Sequence, residues 1–367
     1  MGHETNNNNN NNNNHKPPHG GFIISTKQYK RKYKMNMKQW VADQISAPKK
    51  KAMPVLSFPS INLLGITVNE LINSSDNQAR GMKKIAERVD SAASVSMMDL
   101  SVEAEAFGSE VQFSDGEVPT VVGSIIRDQA EAERLVVPSV GAGRTGLYIE
   151  AMKKARGLIT DRPVLAGMIG PFSLAGRLME VNEALVNCIA EPEFMHIALR
   201  KATDFLVGYA KAYKAAGVNG IVVAEPLAGV LSPALAAEFS TPYVREIVDA
   251  AQSDDFIVIY HNCGNNTIQM IDSILATGCS AFHFGNAIEM ADMMPRIPAD
   301  VMALGNISPA GEFRNGTSES IYAKTQSVMA ACCKYPNFVI SSGCDIPPLS
   351  PWSNIDSFFK AVGDFYS

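Results

Sequence analysis

The residues best suited to chemistry follow the ends of two apolar runs. His261 and Cys263 come directly after the run Phe256–Tyr260. Cys344 comes shortly after the run Phe338–Ser341. Residues two apart on an extended segment point to the same side, so His261 and Cys263 face one way. One imidazole and two thiolates form a tetrahedral zinc set that leaves one position open, as in catalytic zinc sites.

Zinc held by this set would be formally neutral, because two thiolates balance the charge of the ion. Soft sulfur ligands also disfavour Mg²⁺ and Ca²⁺. A thiol that binds the open position would lose its proton yet remain an electron-rich nucleophile, so the set predicts the alkylation of a thiol. The alternative is an accidental pattern, because His-x-Cys is common and a free Cys is often a small buried hydrophobic residue.

The elements that could position these residues repeat from about residue 160 onward. Short apolar runs alternate there with longer amphipathic stretches, and continuous apolar runs are typical of strands buried on both faces of a parallel sheet. Repeated strand–helix units of about 25–40 residues predict a (β/α)8 TIM barrel, with an open doubly wound sheet as the alternative. Two earlier segments, Ser94–Leu100 and Pro119–Arg127, are further strand candidates. The main predicted strands are Pro163–Met168, Gly220–Ala224, Phe256–Tyr260, Ala281–Phe284, Val301–Leu304 and Phe338–Ser341.

Ser-Pro pairs predict where some helices begin. The Ser supplies an oxygen that caps the first turn, and the following Pro lacks an N–H that would otherwise be unpaired. Such pairs occur at Ser232-Pro233, Ser308-Pro309 and Ser350-Pro351. A long helix is also predicted within Pro192–Gly217, because its apolar residues recur on one face.

The charge of the chain is divided unevenly. Ten of the 32 Lys and Arg residues but only two of the 37 Asp and Glu residues lie in residues 1–51, which leaves 22 basic and 35 acidic side chains in the rest. A body this acidic excludes a basic nucleic-acid-binding surface. We assign residues 1–37, with the run Asn6–Asn14 and the basic cluster Lys27–Lys34, to a disordered leader, and residues 38–367 to one barrel domain.

Length and composition limit the class of protein further. A chain of 367 residues with 46% hydrophobic side chains can bury a large core. It contains no apolar stretch of about 18 residues, which excludes a membrane-spanning helix. Six cysteines are too few for a disulfide framework, so we expect reduced thiols and a cytoplasmic location.

Further candidates stand at two other strand ends. Glu225 follows Gly220–Ala224 and could fill the fourth zinc position or act in catalysis, or it could cap the following loop. Asn286 follows Ala281–Phe284 at a place where amides commonly hold substrate, although turn chemistry explains it as well. His283 on the same strand either faces the pocket or is a satisfied histidine of the barrel.

Three segments of the chain resemble one family. Tyr260–Asn266, Ser341–Ile355 and Met98–Gly108 are similar to the zinc-dependent methyltransferases of the uroporphyrinogen decarboxylase superfamily, whose best-known members are the methylcobamide:coenzyme M methyltransferases. The resemblance covers roughly residues 53–365. It implies a (β/α)8 barrel, one Zn²⁺ held by the three predicted ligands, and methyl transfer that involves a corrinoid (cobalamin).

The same resemblance suggests a partner and a substrate class. Because the Asp-x-His-x-x-Gly signature of cobalamin-binding domains is absent, we expect the corrinoid to come from a separate corrinoid protein or as free cofactor. The methyl group would move to a zinc-activated thiol such as coenzyme M, or from a methoxy or methylamine donor to the corrinoid. Glu103 and Glu105 match the family's Glu-x-Glu segment; we expect Glu103 to act in catalysis and Glu105 and Asn286 to contact substrate, unless the glutamates only orient a loop.

Two other functions are compatible with the sequence. A tetrapyrrole decarboxylase of the superfamily would share the fold. Such enzymes have an Arg-rich N-terminal segment that binds the carboxylates of the substrate, whereas the matching segment of this chain, Pro54–Ser60, contains no arginine. Arg144 and Arg177 keep that function open. A non-catalytic role with structural zinc is the second alternative, and an open ligand position argues against it, because structural zinc sites are usually closed.

Overall fold

The computed structural model describes residues 1–2 and 35–367, so the Asn-rich run and the cluster Lys27–Lys34 of the predicted leader lie outside the described residues. The first described helix, α1 (Met37–Ser46), begins where the predicted leader ends. Asn36 caps this helix by accepting a hydrogen bond from the Gln39 N–H at 2.8 Å, and Met37 is fully buried. Asn36 and Met37 therefore belong to the folded part of the chain.

A sheet of seven strands forms the centre of the described part, and every neighbouring pair in it is parallel. All residues of these strands are buried, which explains their continuous apolar sequences. Six of the strands correspond to the main predicted strands. In spatial order the sheet contains β1 (Ser94–Val95), β4 (Val164–Ile169), β5 (Gly220–Ala224), β6 (Ile257–Asn262), β7 (Ala281–Phe284), β8 (Met302–Ile307) and β9 (Phe338–Ser342).

Residues 52–55 close this sheet into a barrel. The Met53 N–H donates to the Ile340 carbonyl in β9 at 3.0 Å. On the other side, the Ala92 N–H just before β1 donates to the Ala52 carbonyl at 2.9 Å. The segment thus occupies the eighth position, between the last strand and the first. The predicted (β/α)8 TIM barrel is confirmed, with an eighth element joined by few backbone hydrogen bonds.

Two short strands, β2 (Glu110–Gln112) and β3 (Thr120–Val122), form a separate antiparallel ribbon. The strand predicted within Pro119–Arg127 is limited to β3, whose outer residues are exposed, as expected for a ribbon with one face toward water. Within the predicted strand Ser94–Leu100, only β1 lies in the sheet. Both predicted lengths were wrong. The chain leaves the barrel after the two residues of β1, and β3 pairs with β2 over only three residues.

Alternate residues of the strands divide between two hydrophobic cores. Ala166 and Val258 point outward into the core beneath the helices, whereas Leu165 and Ile259 point into the barrel interior.

Helix α1 covers the end of the barrel at which the strands begin, since Met37 packs in the interior core. The other helices are α2 (Ser60–Leu64), α3 (Val68–Ile72), α4 (Ser75–Arg88), α5 (Val102–Ala106), α6 (Gln129–Arg134), α7 (Thr145–Leu158), α8 (Pro171–Met179), α9 (Val181–Ala190), α10 (Pro192–Ala216), α11 (Pro233–Phe239), α12 (Thr241–Ala251), α13 (Ile271–Leu275), α14 (Met290–Met293), α15 (Ser318–Cys332) and α16 (Trp352–Phe365), with 3₁₀ turns at Leu227–Val230 and Met294–Arg296 and a π-helical turn at Pro309–Arg314.

Helix ends follow the predicted chemistry in most places. Ser232-Pro233 opens α11, and Ser308-Pro309 opens the π-helical turn. A helix also begins directly after Ser350-Pro351, at Trp352, but the predicted capping role of Ser350 was wrong, because Pro351 itself precedes α16 and no side chain caps that helix. The predicted long helix is α10, and it ends at Gly217, whose φ of 89° is left-handed. No helix in the described ranges is long and apolar enough to cross a membrane.

Candidate metal centre

The three predicted metal ligands lie together at the end of the barrel where the strands finish. His261 belongs to β6, Cys263 follows that strand directly, and Cys344 comes two residues after β9. Two strands separate β6 from β9 in the sheet, and the curvature of the barrel brings their loops together. One ligand atom from each of the three residues lies within 4.8 Å of the other two. His261 is buried, and both cysteines are half-buried.

Two glycines allow the ligand-bearing loops to approach each other. A Cβ atom on Gly285, just after β7, would lie 2.4 Å from the Cα and Cβ atoms of Cys263. A Cβ atom on Gly343 would lie 2.8 Å from the backbone nitrogen of Asn286. Real Cβ atoms essentially never come so close to other atoms, so the present backbone accommodates only glycine at these positions. Neither glycine was predicted as a site residue, although Gly285 precedes Asn286 and Gly343 precedes Cys344.

The imidazole of His261 has one nitrogen engaged in hydrogen bonding and one without a partner. Its Nδ1 lies 2.7 Å from Nδ1 of His283 and 3.3 Å from the His283 carbonyl oxygen. Its Nε2 is buried and has no hydrogen-bond partner. A buried polar atom without a partner is costly unless a ligand binds it, so this nitrogen is suited to a metal ion.

The two sulfur atoms lie within 4.8 Å of each other. The neighbouring Cys344 thiol and His261 hold the pKa of Cys263 well below its usual range. The neighbouring Cys263 sulfur and burial together raise the pKa of Cys344 well above its ordinary value. By contrast, burial raises the pKa of both Cys188 and Cys279 to about 12. The candidate site therefore favours a thiolate, whereas these two buried cysteines remain thiols.

This set of donor atoms fits a zinc ion. Two sulfurs and one imidazole nitrogen are preferred zinc ligands and poor ligands for Mg²⁺. Two sulfurs that each lie about 2.3 Å from a tetrahedral zinc are about 3.8 Å apart. The donor atoms lie within 4.8 Å of one another, so a contraction of about 1 Å at most is needed. A fourth position would be left for a substrate.

Glu225 is bonded to the start of α8. Its Oε1 accepts from the Phe172 N–H at 2.9 Å, and its Oε2 accepts from the Ser173 N–H at 2.9 Å and the Ser173 hydroxyl at 2.7 Å. Burial raises its pKa to about 7. Both oxygens are occupied, and Glu225 is not part of the group formed by the predicted ligands. Glu225 thus caps the start of α8, which precedes its own strand, rather than the loop that follows it, and neither oxygen is free to act as a fourth zinc ligand.

The two glutamates of the Glu-x-Glu segment have different surroundings. Glu103 is buried, and its Oε1 accepts from the Ile169 N–H at the end of β4 at 3.0 Å. Its Oε2 has no partner, and burial raises its pKa to about 8, so Glu103 is largely protonated at neutral pH. Glu105 is partly exposed and forms an ion pair with Arg144 at 2.6 Å. A substrate that contacts Glu105 would therefore have to compete with this ion pair.

The two arginines that could bind the carboxylates of a decarboxylase substrate also have different surroundings. Arg144 is buried and contacts Asp99 at 2.5 Å in addition to Glu105, and the Tyr148 hydroxyl donates to the same aspartate at 2.7 Å. Because two carboxylates engage its guanidinium, Arg144 is not free to bind a substrate carboxylate. Arg177 lines a cavity of about 130 Å³, and burial lowers its pKa.

Two residues stand beside Cys344. Asn286 is exposed and lies against Gly343, a place compatible with its predicted contact to substrate. Asp345, which the sequence analysis did not single out, accepts from the Met98 N–H through Oδ2 at 2.7 Å, and its Oδ1 is buried without a partner. Burial raises the pKa of Asp345 to about 8. Its place directly after a predicted ligand was the one available indication in the sequence.

A barrel with candidate metal-binding side chains where its strands end has the general form of a catalytic domain. Residues 50–365 match the family described as Uroporphyrinogen decarboxylase (URO-D), and the chain belongs to that family. The predicted membership of this superfamily is therefore confirmed.

Relatives with two different names are similar to this chain. A protein named Methylcobamide:CoM methyltransferase MtbA, from Methanosarcina acetivorans, is 26% identical over 277 residues, which cover 73% of this chain and 78% of that protein. A uroporphyrinogen decarboxylase from Desulfotalea psychrophila is 28% identical over 223 residues, which cover 59% of this chain and 64% of that protein. A solved structure described as a methyltransferase from Methanosarcina mazei has a TM-score of 0.79 at 22% identity and covers 91% of this chain and 100% of its own. This last likeness shows the shared fold.

Proposed function

We propose that this protein is a zinc-dependent methyltransferase that moves a methyl group between a corrinoid and a zinc-activated thiol. The observation that carries the proposal is the convergence of His261, Cys263 and Cys344, with a buried histidine nitrogen that has no partner. Three protein ligands leave one position for a substrate, which is the arrangement of catalytic rather than structural zinc.

The residues of the site suit the handling of a thiol. Zinc bound here would act as a Lewis acid that lowers the pKa of a thiol at the open position. Cys263 and Cys344 would supply two negative charges, so that a bound thiolate keeps high electron density and remains nucleophilic. Asp345, directly after Cys344, accepts from the Met98 N–H and would help to hold the loop that carries this ligand. Asn286 would contact the substrate from the mouth of the site.

The corrinoid is proposed to come from a separate protein. The similar protein from M. acetivorans carries the name of a methylcobamide:CoM methyltransferase, which supports both a methyl-carrying corrinoid and a small thiol such as coenzyme M. The opposite direction, from a methoxy or methylamine donor to the corrinoid, uses the same ligand set. Glu103 would act in that site as a neutral acid, since its pKa is about 8.

A tetrapyrrole decarboxylase is the alternative function, and the names of several relatives support it. Pro54–Ser60 contains no arginine and Arg144 is engaged in ion pairs, so of the two candidate arginines only Arg177, which lines a cavity, is left to hold a carboxylate of such a substrate. Incubation with uroporphyrinogen is expected to give no decarboxylated product. Release of CO₂ from it would favour the alternative.

The zinc site is tested by metal content. Wild-type protein purified under reducing conditions without chelators should contain about one zinc per chain by mass spectrometry, and Cys344→Ala should lose most of it. Cys279→Ala is the control, because Cys279 is a buried free cysteine that lies outside the ligand group. Absence of zinc from the wild type, or equal loss in both variants, would overturn the zinc assignment.

Methyl transfer is tested with free corrinoids. Zinc-loaded protein is mixed with methylcobalamin and a panel of thiols that includes coenzyme M, and demethylation of the corrinoid is followed by absorbance. A second arm combines cob(I)alamin with methyl ethers and methylamines. Activity in either arm that disappears in Cys344→Ala and persists in Cys279→Ala supports the proposal. The proposal would be contradicted if zinc-replete protein showed no activity in either arm, with or without an added corrinoid protein.

A further inference from the structure

A second histidine lies directly behind the candidate ligand His261. His283 is on β7, in register with His261 on the neighbouring strand β6. The two Nδ1 atoms are 2.7 Å apart, and the ring centroids are 4.7 Å apart. His283 is only 2% exposed. Two nitrogens this close share one proton, so one of them donates and the other accepts.

Ser341 determines which of the two nitrogens donates. Its Oγ lies 2.8 Å from the Met53 carbonyl oxygen and 2.7 Å from Nε2 of His283. A carbonyl oxygen only accepts, so the single hydroxyl proton of Ser341 goes to Met53. Nε2 of His283 must then be the donor to Ser341. In a neutral imidazole the other nitrogen carries no proton, so Nδ1 of His283 accepts.

The proton between the two rings therefore resides on Nδ1 of His261. A second contact agrees with this assignment, because the same nitrogen lies 3.3 Å from the His283 carbonyl oxygen, which can only accept. With Nδ1 protonated, Nε2 of a neutral His261 carries a lone pair, and it is the buried atom without a partner. The fold thus leaves Nε2 of His261 unprotonated, which is the state in which a nitrogen can bind a metal ion.

We propose that His283, oriented by Ser341, is a positioning residue that fixes the Nδ1-protonated form of His261 and presents its Nε2 to the metal. This inference rests on the zinc site proposed above. A metal-binding histidine usually donates its other N–H to a carboxylate, a carbonyl oxygen or water. A neutral imidazole in that position orients the ligand without adding negative charge, so a bound zinc keeps more of its power to acidify a thiol.

Zinc affinity tests the role of His283. The variant His283→Phe keeps a ring in place and removes the acceptor, whereas His283→Asn retains an acceptor close to the position of Nδ1. Competition with a chromophoric chelator should show zinc binding about 10–100-fold weaker for His283→Phe and largely restored in His283→Asn. His196→Phe is the control, because His196 lies outside the ligand group and bonds to Tyr243. Equal affinity of His283→Phe and wild type would overturn the inference.

The protonation pattern is tested directly on the metal-free protein. The chain has six histidines, so nitrogen NMR of ¹⁵N-histidine-labelled protein is tractable, and the signals of His261 are identified by their loss in His261→Gln. We expect His261 to be protonated on Nδ1 in the wild type, with this preference reduced in Ser341→Ala. Protonation of His261 on Nε2, or no change in Ser341→Ala, would overturn the inference.

The two experiments separate this inference from the proposed function. Failure of the wild type to bind zinc would contradict the proposed function, and the NMR spectra would still decide the protonation of His261. Normal zinc binding with an unchanged His283→Phe variant would contradict only the role of His283. Circular dichroism checks that each variant is folded. If His283→Phe is not folded, the two variants Ser341→Ala and His283→Asn supply the test in its place.

Discussion

Replacing Gly285 with alanine tests how strongly the candidate metal centre depends on the close approach of its loops. The added Cβ would stand 2.4 Å from the Cα and Cβ atoms of Cys263 and 3.2 Å from the Gly343 carbonyl oxygen. Ordinary contacts of a Cβ atom begin at 3.4 Å, so the loops after β6 and β7 would have to separate by about 1 Å. Tight cores do not absorb such a shift without cost.

A separation of this size would disturb the spacing that zinc requires. The donor atoms lie within 4.8 Å of one another, and the two sulfurs of a tetrahedral zinc are about 3.8 Å apart. Displacement of Cys263 by about 1 Å would move its sulfur away from that spacing. We expect Gly285→Ala to lower the free energy of unfolding by about 1–3 kcal/mol, the usual cost of overpacking, and to weaken zinc binding about tenfold or more.

Urea unfolding and chelator competition measure the two effects, and Gly157→Ala is the matched control. Gly157 lies in α7, and a Cβ there meets nothing within 4 Å, so alanine should stabilise the protein by up to about 1 kcal/mol through helix propensity. Its zinc affinity should match that of the wild type. If Gly285→Ala retained both wild-type stability and wild-type zinc affinity, the reasoning from loop approach would be refuted.

Three further predictions concern buried charged groups. Burial raises the pKa of Glu103 from 4.5 to about 8, so the folded protein should lose stability as pH rises between these values, and Glu103→Gln should flatten the profile of melting temperature against pH. Glu225→Ala should lower stability in urea by about 1–3 kcal/mol, because it leaves donors of α8 unpaired, while zinc content stays at the wild-type level. Arg144→Met should destabilise the protein by about 3–5 kcal/mol, because Asp99 loses its buried counter-charge, and Asp99→Asn added to it should recover part of the loss in urea unfolding. The argument for Glu103 would be contradicted if the profile of Glu103→Gln ran parallel to that of the wild type. Loss of zinc in Glu225→Ala would contradict the argument for Glu225. Wild-type stability of Arg144→Met would contradict the argument for Arg144.

Sequence patterns predicted the long strands of the barrel and missed the element that closes it. Each of the strands from β4 to β9 is a continuous apolar run because both of its faces are buried, and this property is visible in one dimension. Residues 52–55 form only a short run with Pro54 in it, and their place depends on partners such as Ile340 far along the chain. Such pairing is a tertiary property that local periodicity does not contain.

The candidate ligands were predictable for a related reason, whereas the contacts that orient them were not. The ends of parallel strands share one face of a barrel, so His261, Cys263 and Cys344 could be placed together from spacing and strand order alone. The hydrogen bond between two histidines depends on the register of β6 and β7, which the sequence does not reveal. Glu225 likewise became a helix cap because α8 begins beside it.

The hydrogen bond between Ser341 and Met53 joins residues that are 288 positions apart in the chain. Contacts of such high sequence separation require the closure of a very long loop, so they are slow to form relative to local structure. During synthesis, residues 52–55 and His261 emerge before β9 and Cys344 exist. The three candidate ligands can therefore come together only after β9 and Cys344 have been made, so the candidate metal centre cannot form before the strand that meets residues 52–55.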